Sequence, residues 1–235
     1  MTRSLVVSGR HSIDDYAAAA LYFVCGAMPV SVIPVSVLGL LTMHQAALYL
    51  VIPVTIAAFL IMTFRIEPIS WVVHGFRAGL CAVAAYDAVR IPFVIAGIWP
   101  DFFGRLGQAI TNSDHQNIVV GYLWRYLGDG GGIGLAWFVS VALFWRFAGP
   151  IVAHHPIAAS VGFGVFIWSG LIFTVGVLPG GYTLFKLTPT NFLLSLVGHL
   201  VYGFVLGLFM AKQVKTVPAE LWPEPALRTL TRARG

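Results

Sequence analysis

The sequence predicts an all-α fold, a polytopic transmembrane helical bundle of about six crossings with both termini in the cytoplasm. Three observations predict it. Hydrophobic residues form 58% of the chain and charged residues 10%, with a mean hydropathy of +0.86, whereas soluble domains carry roughly 25% charged residues. The apolar runs are long enough for the about 20 residues that a helix needs to cross a bilayer, and they fill most of the chain. The cations, finally, divide unevenly between the links that join those runs.

The first long apolar stretch begins at Tyr16 and is too long for a single crossing. It reads as a helical hairpin. One arm spans residues 16–41, bent near Pro29 and Pro34, the polar step His44–Gln45 marks the turn, and the second arm spans 46–64. The third crossing, 71–98, carries Asp87 and Arg90 inside an otherwise apolar run. Residues 100–117 form the longest polar stretch, expected as a loop with a short interfacial helix. The fourth crossing starts near Ile118 and continues to Trp145. It contains Gly-Asp-Gly-Gly-Gly-Ile-Gly at 128–134, which either lets a neighbouring helix approach closely or opens the helix at a cavity. The fifth crossing spans 157–178 and the sixth 191–211.

The domain organisation follows: an N-terminal tail 1–15, one transmembrane domain 16–211, and a basic tail 212–235. Arg3, Arg10, Asp14 and Asp15 precede the first apolar run, which argues for a retained membrane helix instead of a cleaved signal peptide. Six crossings put Arg3, Arg10, Arg65, Arg77, Arg146, Lys212, Lys215, Arg228, Arg232 and Arg234 on the side of the termini. Arg105, Arg125 and Lys186 fall on the other side, and Arg90 is embedded. The positive-inside rule then makes the side of the termini cytoplasmic. The net charge of +5 is spread too thinly for a nucleic-acid surface. Cys25 and Cys81 lie in apolar runs without metal-like spacing and read as small buried residues.

A charge at membrane depth costs at least about 2.5 kcal/mol, so it faces a protein interior, a partner or a wet cavity. At about 100° per residue, Asp87 and Arg90 lie on one helix face and can pair. The pair either docks this helix on another or serves as a proton, ion or headgroup site. Tyr86, His199 and Tyr202 complete the expected buried polar cluster, between the third and sixth crossings. Gly75 with Gly79, and Gly203 with Gly207, repeat at the four-residue spacing that lets membrane helices pack backbone to backbone.

His199, His74 and His154 are candidate ligands for a haem b, although their expected depths differ. No HExxH or comparable set suggests a metal, Ser113-Asp114-His115 lacks triad geometry, and the glycine run lacks the Lys and Ser or Thr of a phosphate loop. Trp99, Phe102, Trp124, Tyr126, Trp145 and Trp222 are expected in interfacial belts.

Gly79 to Pro92, GLCAVAAYDAVRIP, and Gly198 to Met210, GHLVYGFVLGLFM, are similar to segments of small bacterial inner-membrane proteins of the YagU type. The shared steps are Tyr-Asp-x-x-Arg, here Tyr86, Asp87 and Arg90, and Gly-His-Leu-x-Tyr-Gly, here Gly198 to Gly203. The resemblance runs from the third crossing onwards and implies a bacterial inner membrane and a site coupling the third and sixth crossings. It implies no activity. The expected function is an accessory or scaffolding subunit of a larger membrane complex, partnered by lipid and by other subunits or further copies of the chain. A small transporter or channel using Asp87 and Arg90, and a haem-binding redox protein, are the alternatives.

Overall fold

The structure, a computed structural model, describes residues 13–64, 69–183 and 186–216. The tail positions 1–12 and 217–235 and Arg65 lie outside the described residues. Helix α1 is Ile13–Val37. Helix α2 is a continuous rod of Met43–Ala46, a π turn Ala47–Val51 and Ile52–Phe64. Helix α3 is Ile69–Ile95 and the short α4 is Phe103–Thr111. Helix α5 joins Ile118–Leu123, a π segment Trp124–Gly132 and Ile133–Leu143. Helix α6 is Trp145–His154, α7 is Pro156–Gly176 and α8 is Pro189–Thr216. No strand occurs among the described residues. Six of these helices, α1, α2, α3, α5, α7 and α8, are long and apolar enough to cross a membrane.

Several boundaries differ from the sequence expectation for local reasons. Helix α1 ends at Val37, because the chain turns at Gly39 with φ of 72°. His44 and Gln45 open α2 instead of forming the turn before it. Thr42 accepts from Gln45 N while the Gln45 side chain accepts from Thr42 N, a reciprocal cap that satisfies two orphan donors at the helix start. The fourth crossing ends at Leu143, short of Trp145, and after Phe144 (φ −104°, ψ 23°) the chain forms a separate helix, α6. Helix α8 runs through Lys212 and Lys215 to Thr216, past the boundary expected at 211.

The most extensive packing orders the crossings α2, α1, α5, α3, α8, α7. Helix α5 is therefore interior: 61% of its membrane window is buried, against 17% for α2 and for α7 at the ends of the row. That order follows from side-chain size. A Cβ on Gly75 would lie 2.7 Å from Phe138 Cβ and 2.9 Å from Gly134 O, and one on Gly79 would strike the Gly130 carbonyl. On α8, a Cβ at Gly203 would lie 2.6 Å from Ser160 O and one at Gly207 2.6 Å from Ile157 Cα. The glycine pairs thus sit where α3 meets α5 and where α8 meets α7, with backbones in contact.

Helix α4 packs its buried residues Phe103, Leu106 and Ile110 against Val32 of α1 and Met43, Ala47 and Val51 of α2. His44 Nδ1 is 2.8 Å from Ile110 O, tying α4 to the start of α2. With six crossings, the links that follow α1, α3 and α7 share one face of the row, and α4 lies on that face.

Candidate functional site

The buried stripe of α3 steps by three and four residues through Gly75, Ala78, Gly79, Ala82, Val83 and Tyr86 to Asp87 and Arg90. The same face that approaches α5 through small residues therefore ends in an ion pair. Asp87 is 1% and Arg90 2% exposed, and Arg90 Nε donates to Asp87 Oδ1 at 3.3 Å.

The second cation comes from α5. Arg125 lies in the π segment, and its Nη2 donates to the same Asp87 Oδ1 at 3.1 Å. The segment is wound without a break: the residues capping it on either side, Leu123 and Ile133, are right-handed helical. The glycine run is thus a helix widened to i→i+5 bonding, a form that recurs at functional sites, and it is closely approached by Val83 and Phe76 of α3 and Pro29 of α1. Arg125, with its side chain 11% exposed, is paired within the site and is not the surface cation that the sequence suggested.

A third layer is added by the chain between α3 and α4. Arg90 Nη2 donates to Tyr122 OH at 2.9 Å and lies 3.5 Å from Asp101 Oδ1, while Tyr122 OH donates to Asp101 Oδ2 at 3.1 Å. Asp101 Oδ1 also accepts from Phe103 N at 3.2 Å, at the start of α4. The aromatic rings take up the flat faces of the cations. Arg90 stands 4.8 Å from the Phe103 ring centroid, and Arg125 4.4 Å from Tyr86 and 5.3 Å from Phe103. Asp129, four residues after Arg125, adds a third carboxylate to two guanidiniums.

Asp87 Oδ2, Arg90 Nη1, Arg125 Nε and Asp129 Oδ1 are buried without a hydrogen-bond partner. Each such atom costs about 1–3 kcal/mol of desolvation, more when charged. Chemically, the arrangement can clamp three segments together through one carboxylate oxygen, and it retains unfilled donor and acceptor capacity in the same cluster.

The other expected members sit around this core. Tyr86 packs edge-on to His199, ring centroids 5.2 Å apart, and lies 6.2 Å from Trp99. His199 is buried and its Nδ1 donates to Ser195 O at 2.7 Å. Tyr86, which it packs against, in turn lies under the Arg125 guanidinium. Tyr202 donates to Gly130 O at 2.7 Å, so it holds α8 to α5 without touching Asp87 or Arg90. The ion pair of α3 is therefore answered by α5 and the α4 segment, and not by α8, the sixth crossing. The reason is that α5 lies between α1 and α3 and turns Arg125 inward. His74 and His154 are exposed and outside the cluster; His154 Nδ1 bonds Pro150 O at 2.7 Å. Among the described residues no group of three or more His, Cys, Asp or Glu is arranged to hold a metal ion. Cys81 is exposed and Cys25 half-buried, contrary to the expectation that both are buried. Trp99 is 4% exposed and belongs to the core instead of an interfacial belt.

Arg125, Asp101, Tyr122, Phe103 and Asp129 are the members that sequence reasoning missed. The available signal was that Arg125 and Asp129 both fall inside the 118–143 run, on either side of one helical turn.

Together these features define an all-helical protein with six helices long and apolar enough to cross a membrane and a buried ion-pair network between them. No protein-family model, curated protein or solved structure matches the chain.

Proposed function

We propose that the protein is a non-enzymatic accessory or scaffolding subunit of a larger complex in a bacterial inner membrane, binding partner helices and lipid, with both termini cytoplasmic. The observation that carries this reading is the contrast between the middle of the helix row and its ends. In the middle, Asp87, Arg90, Arg125 and Asp101 form ion pairs with one another. At the ends, α2 and α7 present Tyr49, Phe59, Phe166 and Phe173 outward, each more than half exposed. A network of that kind fixes shape, and faces of that kind are covered by lipid or by other helices. The orientation is supported by charge: with Arg125 inside the cluster, the cations assigned to the far face reduce to Arg105 and Lys186.

Native mass spectrometry on protein extracted gently from its own membranes tests the proposal, because one spectrum reports partners, oligomer order and any bound cofactor mass. A stoichiometric foreign polypeptide supports it. A lone chain or homo-oligomer overturns it.

A small transporter or channel is the second reading, favoured by the four buried polar atoms without partners, which suit a proton or ion moving past Asp87 and Asp129. Flux through proteoliposomes that persists in an Asp87→Asn variant removes that reading.

A further inference from the structure

We infer that the outward face of α3 is a docking surface for one transmembrane helix of a partner protein, and that this helix carries an Asp or Glu opposite Arg77. The inference rests on the subunit reading above and names the face and the chemistry of the partner. Besides Lys212 and Lys215 near the end of α8, the charged residues within the six candidate spans are Arg77, Arg90, Arg125, Asp87 and Asp129. Arg90 and Arg125 both answer Asp87. Arg77 has no ion-pair, hydrogen-bond or ring partner among the described residues, and it lies exposed on the side of α3 opposite the buried stripe.

Depth makes that exposure costly. Arg77 comes seven residues after Ser70, where the span begins, which is about 10 Å along the axis at 1.5 Å per residue. A guanidinium at that depth needs an anion or a wet cavity. No carboxylate within the spans of this chain supplies the anion. Asp87 is 1% exposed and turned toward Arg90 and Arg125, and Asp129 lies on α5 with its Oδ1 buried. A second copy of the chain brings the same two inward acids, so it leaves Arg77 unanswered as well.

The rest of the face suits a helix better than acyl chains. Its exposed positions Ser70, His74, Arg77, Cys81, Ala84 and Ala88 step by four and three residues, the seam along which one helix lies on another. The side chains that follow Arg77 on it are small, which lets two backbones approach closely. Neighbouring α8 gives the contrast: its exposed row is Leu193, Val197, Leu200, Phe204 and Leu208, the bulky apolar surface that lipid covers. Small residues alone would mark only a place of close approach, and Arg77 fixes what approaches. Its planar fork takes a carboxylate through two parallel hydrogen bonds, and His74, one turn earlier, brings a further donor to the same group.

The test uses the full chain in its own membranes, with Cys25→Ala and a benzophenone maleimide on Cys81, the exposed thiol one turn after Arg77. Irradiation is expected to join the chain to one polypeptide that also appears stoichiometrically in native mass spectra, through a helix bearing an Asp or Glu at the depth of Arg77. Arg77→Asp should lower the cross-linked fraction at least about tenfold, and exchanging the partner's carboxylate for Arg in the same cells should restore it. Val197→Phe, on the lipid face of α8, should leave it unchanged. Should Arg77→Asp fail to insert, Arg77→Gln decides, with the same loss expected. A partner that co-purifies but is not caught from Cys81, or is caught equally in Arg77→Gln, overturns the docking face and leaves the subunit reading standing. The absence of any stoichiometric partner sinks both. Cross-linking of Cys81 to a second copy overturns the foreign partner, and loss of retained anionic lipid in Arg77→Gln with the partner unchanged overturns it in favour of a lipid headgroup.

Discussion

Arg125 of α5 donates to Asp87 Oδ1 of α3 across 3.1 Å, and that same oxygen receives Arg90 Nε at 3.3 Å. One buried carboxylate oxygen therefore joins the central helix to its neighbour. Removing a single partner from such a group strands a charge, whereas removing the whole set does not.

Arg125→Gln should therefore lower stability by about 3–5 kcal/mol. Adding Asp87→Asn to it should cost less than the sum of the two single changes, because the second removes the charge that the first stranded. Unfolding in detergent, followed across the four proteins of the cycle, measures the coupling. Strict additivity would mean that the contact carries no energy.

Asp129 gives the opposite expectation. Its Oδ1 is buried without a partner, so Asp129→Asn removes a desolvated charge and is expected to be neutral or to raise the thermal transition. A fall of several degrees would point to a partner for that carboxylate. If the same variant also stopped proton flux in liposomes while melting normally, the transport reading would replace the subunit reading.

Glycine substitutions should separate the packed faces from the open ones. Gly79→Ala drives a methyl into the Gly130 carbonyl and should cost about 1–3 kcal/mol or more through overpacking. Gly162 and Gly170 of α7 meet nothing within 4 Å, and alanine there should be neutral or stabilising by up to about 1 kcal/mol. Melting temperatures of the three variants compare them directly.

Tyr202→Phe removes the hydroxyl that holds α8 to Gly130 O at 2.7 Å. The carbonyl keeps the Ile133 N–H as a donor, so the expected loss is modest, about 1 kcal/mol. Hydrogen exchange on α8 should quicken without a matching change on α4, a segment that Tyr202 does not touch. Equal quickening on both would mean that the bundle loosens as one unit.

The membrane topology is checked by single cysteines at Thr2 and Arg234 in a background lacking Cys25 and Cys81. Both should react with an impermeant thiol reagent only when it reaches the cytoplasmic side. Labelling from opposite sides is incompatible with six crossings.

Much of the fold was legible in the sequence because crossing hydrocarbon is a local property. About 20 apolar residues must satisfy their own backbone within one helix, and no distant residue alters that requirement. The glycine spacings and the shared face of Asp87 and Arg90 are equally local, since helical periodicity alone places them. The Thr42–Gln45 cap is local too, a four-residue pattern, but the polarity of His44 and Gln45 led the sequence reading to a turn there instead.

What only the tertiary structure decided is which helix answers Asp87. Arg125 stands 38 residues away in sequence, near enough to the start of the 118–143 run to read as an interfacial cation. Its burial depends on α5 lying between α1 and α3, and on a π segment that aims its side chain inward. Likewise, Asp101 reads as a loop acid until α4 folds back over the bundle and brings it to Arg90. Run length and composition determined how many helices are long and apolar enough to cross a membrane, because each helix satisfies its own backbone. They could not determine the order in which the helices pack, because side-chain contacts between crossings are chosen by shape and charge across distances the linear pattern does not encode.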